Sequence, residues 1–159
     1  MLFEPEKYGK NPNKIFENVV TWLLSLAGYD TIHLGLEIKG KKGKESFDVL
    51  REESGYEIGC ADIIAYEENK RLLLIDCDIG SIDEKKSQKL VETGEYFLDQ
   101  SKKYGRLEMI PVLVTPKDWR HRVEKGLRIV DCNTLEIIFQ EIVKGNRKKA
   151  RDTFCYFGY

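Results

Sequence analysis

The stretch Gly59-Cys60-Ala61-Asp62-Ile63-Ile64-Ala65-Tyr66, the polar link Glu67-Glu68-Asn69-Lys70-Arg71, and the run Leu72-Leu73-Leu74-Ile75-Asp76-Cys77-Asp78 decide the fold. Two apolar runs, Ile58 to Tyr66 and Leu72 to Asp78, joined by so short a link read as an antiparallel hairpin. Side chains alternate along a strand, so Cys60, Asp62 and Ile64 share one face of the first. Leu72, Leu74, Asp76 and Asp78 share one face of the second. A three-residue turn centred on Asn69 sets Asp62 opposite Asp76, and three carboxylates then gather at one end of a mostly apolar sheet. Like charges facing each other across strands destabilise a sheet, and burying them unpaired costs far more. A bound cation, a basic neighbour or raised pKa values must compensate. A hard divalent ion with oxygen ligands, Mg²⁺ or Mn²⁺, is the economical solution. A plainer reading stays open: aspartates end strands where the chain returns to solvent, and a one-residue slip would send Asp62 and Asp76 to opposite faces.

Upstream, Asn11, Pro12 and Gly28 mark the ends of a helix. Within it Ile15, Phe16, Val19, Val20, Leu23, Leu24 and Ala27 leave a narrow polar stripe of Lys14, Glu17, Asn18, Thr21 and Ser25, so most of the helix is expected to be buried. A strand follows over about Thr31 to Ile38. The polar stretch Lys39 to Gly55 suits either a hairpin extension or a loop. Downstream, Ser81-Ile82-Asp83-Glu84 reads as a capping box opening a helix whose apolar face runs through Leu90, Gly94, Phe97 and Leu98. Met109 to Thr115 is a buried strand stopped by Pro116, Arg128 to Val130 a last strand, and Thr134 to Lys144 a last helix. The order α, β, hairpin, α, β, β, α predicts an α/β fold, a central mixed sheet flanked by helices. No repeat or linker divides the chain, which reads as one domain over 1–159. Its core covers about 11–144, and a basic, aromatic tail, 145–159, packs on the core or on a second subunit.

The composition excludes several classes. With 159 residues and 42% apolar content the chain can build a real core. A net charge of −1 with 33% charged residues neither demands nor excludes a polyanionic partner. No run approaches the roughly 18 apolar residues of a membrane span, and Met1 to Lys10 lacks the apolar region of a secretory signal, so the expected location is cytoplasmic. Cys60, Cys77, Cys132 and Cys155, even with His33 and His121, lack the paired spacing of a zinc site. Cys60 and Cys77 lie in apolar runs, where a thiol behaves as a small hydrophobe.

Phe16-Glu17 with Val20, Leu24 and Gly28-Tyr29, the strand Gly59 to Ala65, and the strand Leu73 to Asp78 together resemble the PD-(D/E)xK nuclease superfamily, the restriction-endonuclease-like fold with an αβββαβ core. The likeness spans about Ile15 to Phe97, and beyond that it rests on element order. It implies a metal-dependent nuclease that hydrolyses phosphodiester bonds in nucleic acid, leaving a 5′-phosphate and a 3′-hydroxyl, with DNA expected ahead of RNA though the sequence does not choose between them. Asp62 and Asp76 are then the metal ligands, assisted by Asp78, by Glu17 and by the carbonyl of Cys77. One departure stands out: the family's lysine, two residues after the second acid, is Asp78 here. Some relatives carry that lysine on the following helix, where this chain has Lys85, Lys86 and Lys89; Lys86 and Lys89 lie closest to its inner edge. The substitution leaves two possibilities, a migrated lysine or a nuclease-derived binding or assembly module that has lost catalysis. Without the resemblance, Glu17 reads as a water-facing member of a polar stripe, and the lysines as a solvated cluster.

Nucleic acid also needs a basic footing. Candidates are Lys39, Lys41, Lys42 and Lys44; Lys102, Lys103 and Arg106; Lys117, Arg120, Arg122, Lys125 and Arg128; and the basic residues of the tail. Each group alone also reads as a solvated face. Trp119 and His121 can stack on a base or cover the sheet edge. A homodimer would suit double-strand cutting.

Overall fold

The computed structural model describes residues 4, 7, 9–33, 61–68, 70–80, 82, 84–102, 107–119 and 126–156. Along them run α1 (Pro12–Ala27), β1 (Asp30–His33), β2 (Ile63–Glu67), β3 (Arg71–Cys77), α2 (Glu84–Ser101), β4 (Glu108–Val114), β5 (Arg128–Val130), α3 (Cys132–Val143) and α4 (Arg147–Cys155). The strands form one sheet in the order β1-β2-β3-β4-β5. β1, β2 and β3 pair antiparallel, whereas β3, β4 and β5 pair parallel. The expected α/β fold, a mixed sheet flanked by helices, is what forms.

The hairpin holds the expected register: Ile63 faces Ile75, Ala65 faces Leu73, and Glu67 faces Arg71. β3 lies inside the sheet and is covered on both sides, so Leu73, Leu74 and Ile75 are all buried. A strand covered twice needs a continuous apolar run rather than an alternating one. Leu73 and Ile75 join Ile63, Ala65, Val112 and Val114 beneath α1, α3 and α4. Leu74, with Leu113 and Ile129, meets Leu90 of α2 on the other side. Pro111 is tolerated inside β4 because alternate residues turn to alternate neighbours. Glu108 N–H and Val114 C=O both turn toward the β3 side. Pro111 therefore turns toward β5, one residue short of where pairing with β5 begins at Val112.

α1 ends in a Schellman motif. Gly28, at φ 102°, donates to Ser25 O at 3.0 Å, and Tyr29 N–H reaches Leu24 O at 3.0 Å. Arg151 of α4 donates to the last carbonyl, Ala27 O, at 2.7 Å, a cation placed where the helix dipole is negative. α3 begins at Cys132, two residues before the expected Thr134, because Asp131 caps it by accepting from Thr134 N at 2.9 Å. β2 begins at Ile63 rather than Ile58; residues 58–60 lie outside the described set, as do 34–38 of the first expected strand and Ser81 and Asp83 of the capping box.

The C-terminal segment corrects the expected core limit at 144. Residues 147–155 form α4, and Ala150, Phe154 and Cys155 are buried among the residues of α1, α3 and the sheet. Three arginines tie the helix down. Buried Arg71 of β3 reaches Glu67 Oε2 and Asp152 Oδ1, each at 2.6 Å. Although burial opposes it, the Arg71 hydrogen bond holds Glu67 below the usual carboxylate range; Lys148 and Arg71 do the same for Asp152. Arg128 of β5 donates to Thr153 O at 2.9 Å. Tyr29 meets Phe154 edge-on with centroids 6.3 Å apart, and its hydroxyl lies 3.1 Å from Cys155 Sγ. Burial pushes both the Tyr29 and Cys155 groups up, so both stay neutral.

Two stability outcomes follow. Phe154→Ala should cost about 3–5 kcal/mol in urea unfolding; a loss under about 1 kcal/mol would mean that α4 is not part of the core. Gly94 of α2 has room: a Cβ there would meet Pro111 Cδ at 3.6 Å, an ordinary contact. Gly94→Ala should therefore stabilise by about 0.5–1 kcal/mol, the propensity gain of a helix interior, and a lowered melting temperature would contradict that packing.

Candidate functional site

At the C-terminal end of β3 the sheet opens into a cleft of about 330 Å³ between the start of α1 and the start of α2. β3 delivers Asp76 and Cys77, and Asp78 follows directly. Asp62 comes from the residue before β2, Glu17 from α1, and Lys86 and Lys89 from α2. These seven residues line one cavity, whereas Lys85, named beside Lys86 and Lys89, is not in its lining. Asn13, Leu90 and Thr93 line it as well.

The pairing ladder changes character at Asp62. Its N–H donates to Ile75 O at 2.9 Å, while its Oδ2 accepts from Cys77 N–H at 2.9 Å. The carboxylate thus serves as the acceptor for a strand N–H, and Asp62 sits in a bend rather than in β2. Ala61, which strict alternation would set on the Ile63 face, packs instead with Leu74 on the α2 side. The expected alternation therefore holds along β2 and breaks at the residue that enters the cleft. Asp62 is buried, and a buried carboxylate fixed by a backbone N–H is pre-oriented.

Asp78 directly follows β3 and is buried. Its Oδ1 accepts from Gly80 N–H at 2.8 Å, and its Oδ2 lies 3.2 Å from Lys86 Nζ. Lys86 therefore reaches back from α2 to the end of β3. Partial burial disfavours its charge, but the Asp78 hydrogen bond and the charges of Asp78, Asp76 and Asp62 together hold the ammonium above the ordinary lysine value. Lys89, one helical turn on, lines the same wall. Glu17 is not the water-facing residue of the plain reading. Its side chain is only 14% exposed, and its Oε2 lies 3.2 Å from His33 Nε2. Asn13 stands four residues before Glu17 on one helix face, a spacing visible in the sequence once Glu17 was a candidate.

Four carboxylates against two lysines give the cleft a formal charge of −2. That imbalance, made of hard oxygen donors, fits a divalent cation such as Mg²⁺ or Mn²⁺. Among the described residues no three His, Cys, Asp or Glu side chains already stand in coordinating geometry.

The basic candidates fare differently. Arg128 is a correction: it is buried, donating to Ile129 O and Thr153 O, and is spent on anchoring α4. Of the tail, Arg151 turns inward to Ala27 O, while Lys148 and Lys149 pair with Asp152 and Glu141 but remain well exposed. Trp119 packs on the α2-side cluster and so covers the sheet. Lys39, Lys41, Lys42, Lys44, Lys103, Arg106, Arg120, His121, Arg122 and Lys125 lie outside the described residues. Among the described residues, no helix is long and apolar enough to cross a membrane.

No protein-family model matches the chain. No curated protein matches its sequence. Among solved structures the chain is similar to the small subunit, R.BspD6I2, of the heterodimeric restriction endonuclease R.BspD6I, at 12% identity and a TM-score of 0.49. The alignment covers 96% of this chain and 92% of that one. The similarity assigns no residue a role.

Proposed function

We propose that the chain is a metal-dependent nuclease of the restriction-endonuclease-like kind, hydrolysing phosphodiester bonds in nucleic acid, with DNA as the expected substrate. The observation that carries this reading is the Lys86–Asp78 contact within a cleft that also collects Glu17, Asp62 and Asp76. Lys86 of α2 is held against Asp78 at 3.2 Å, which is what a lysine supplied from the following helix requires. Asp62 and Asp76 would hold the cation, with Asp78, Glu17 and the Cys77 carbonyl assisting. When bound, it lowers the pKa of a coordinated water and offsets charge on the phosphate.

The chain's own groups supply the rest. Asp62 is locked by Cys77 N–H, so its orientation is set before substrate arrives. Lys86, held protonated by its acidic neighbours, acts as a fixed cation and hydrogen-bond donor toward charge developing on the phosphate, not as a general base. Lys89 adds a second positive group on the same wall, and Glu17 orients the attacking water. A second reading, an inactive nuclease-derived module that binds nucleic acid or serves assembly, draws on one observation. The oxygens of Asp78 already have Gly80 N–H and Lys86 as partners, so its part of the acidic site is internally satisfied.

Cleavage of labelled duplex, single-stranded and branched DNA and RNA separates the two. The native protein should cut with Mg²⁺ or Mn²⁺ and not with EDTA, while Asp76→Ala and Asp62→Asn should lose activity with circular dichroism unchanged. Equal turnover in both variants would remove the assignment, and silence of the native protein with retained binding would favour the module. Lys86→Ala should lower kcat about 10²–10³-fold, with Lys86→Arg recovering part of it. Because the acids around Lys86 hold its ammonium above the ordinary lysine value, the native rate should show no alkaline decline that Lys86→Arg removes; a neutral-to-mildly-alkaline limb that vanishes in Lys86→Arg would contradict the fixed-cation role.

A further inference from the structure

We propose that His33 is a positioning residue that sets the carboxylate of Glu17 in the cleft, an inference that rests on the nuclease reading above. His33 ends β1, where it pairs with Ile63, the residue that follows Asp62. It thus stands between α1, which carries Glu17, and the hairpin, which carries the other acids. Its Nε2 lies 3.2 Å from Glu17 Oε2, and both side chains are about one-sixth exposed or less, at 16% and 14%. Both ring nitrogens are fully buried, yet among the described residues neither makes an aligned hydrogen bond.

Buried polar atoms are nearly always hydrogen-bonded, and each exception has a cause. Here the distance is right and only the alignment is missing. Contacts in a catalytic centre commonly stand long or out of line in the empty state and tighten when the site is loaded. A small turn of the Glu17 carboxylate makes the bond: His33, as the Nε2–H tautomer or as imidazolium, donates to Oε2 and leaves Oε1 directed by that bond. Among the described residues no hydrogen-bond partner other than Glu17 accounts for an imidazole at this place. An apolar residue of similar size would fill the space without burying two nitrogens. His33 also lines a separate groove with Ile15, Val19 and Trp22, whereas Glu17 lines the acidic cleft.

The test is a double-mutant cycle on the full-length protein. His33→Leu, Glu17→Gln, the double variant and His33→Gln are compared in metal-dependent cleavage, and Mn²⁺ binding is measured by calorimetry without nucleic acid. His33→Leu should lower kcat about tenfold or more and raise the Mn²⁺ concentration for half-saturation, leaving KM for nucleic acid and the melting temperature near native. The double variant should be no worse than Glu17→Gln, since the two residues act as one unit. His33→Gln, whose amide N–H can replace Nε2–H, should recover most of the loss. Additive losses, or His33→Leu within twofold of native in both rate and Mn²⁺ affinity, overturn the positioning role while leaving the nuclease reading intact. A native protein that neither cuts nor binds Mn²⁺ overturns both.

Discussion

The register of the β2–β3 hairpin is the constraint on which the rest of the structure depends. With Ile63 opposite Ile75, the odd-numbered residues of β3 face α1, α3 and α4, and Leu74 faces α2. A slip by one residue would exchange the faces of every side chain on one strand relative to the other. It would also carry Asp62 away from the Cys77 N–H that fixes its carboxylate. Core packing and site geometry are therefore set by one choice, so a sequence that buries β3 properly has already placed its acids.

The burial of α4 rests on the same logic at longer range. Its apolar residues are few, and alone they could not hold a nine-residue helix in place. Arg71 from β3, Arg128 from β5 and the α4 residue Arg151 provide directional contacts that orient it, while Phe154 and Ala150 complete the core beneath α1. Arg71 is buried, but two carboxylates and the ring of Tyr156, 5.4 Å away, compensate its charge. Basic residues that look like a nucleic-acid footing in the sequence are in part structural.

The hairpin, its register and α1 were legible because local signals agree there: an apolar run, a short polar link, and a proline and a glycine at the helix ends. The approach of Lys86 to the acids was legible as one of several lysines on a helix edge, and only the fold distinguishes it through its contact with Asp78. α4 was hidden because Arg147, Lys148 and Lys149 open it with a charged run. Its partners Arg71 and Tyr29 are also far away in sequence. The proposed role of His33 was hidden for the same reason: its relation to Glu17 depends on how β1 returns beneath α1. The bend at Asp62 escaped strict alternation because a side chain, rather than the backbone, closes the ladder there.

The cleft joins an acid-rich sheet end to a lysine that the adjacent helix sends back, and the proposed nuclease would hold a divalent cation there between the two hairpin acids. The most direct measurement is a crystal structure grown with Mn²⁺ and read by its anomalous scattering. One peak in contact with both Asp62 and Asp76, at roughly 2.0–2.3 Å from their oxygens, is the expected result. A cleft without a peak at millimolar Mn²⁺, with Lys86 still closed on Asp78, would contradict the account.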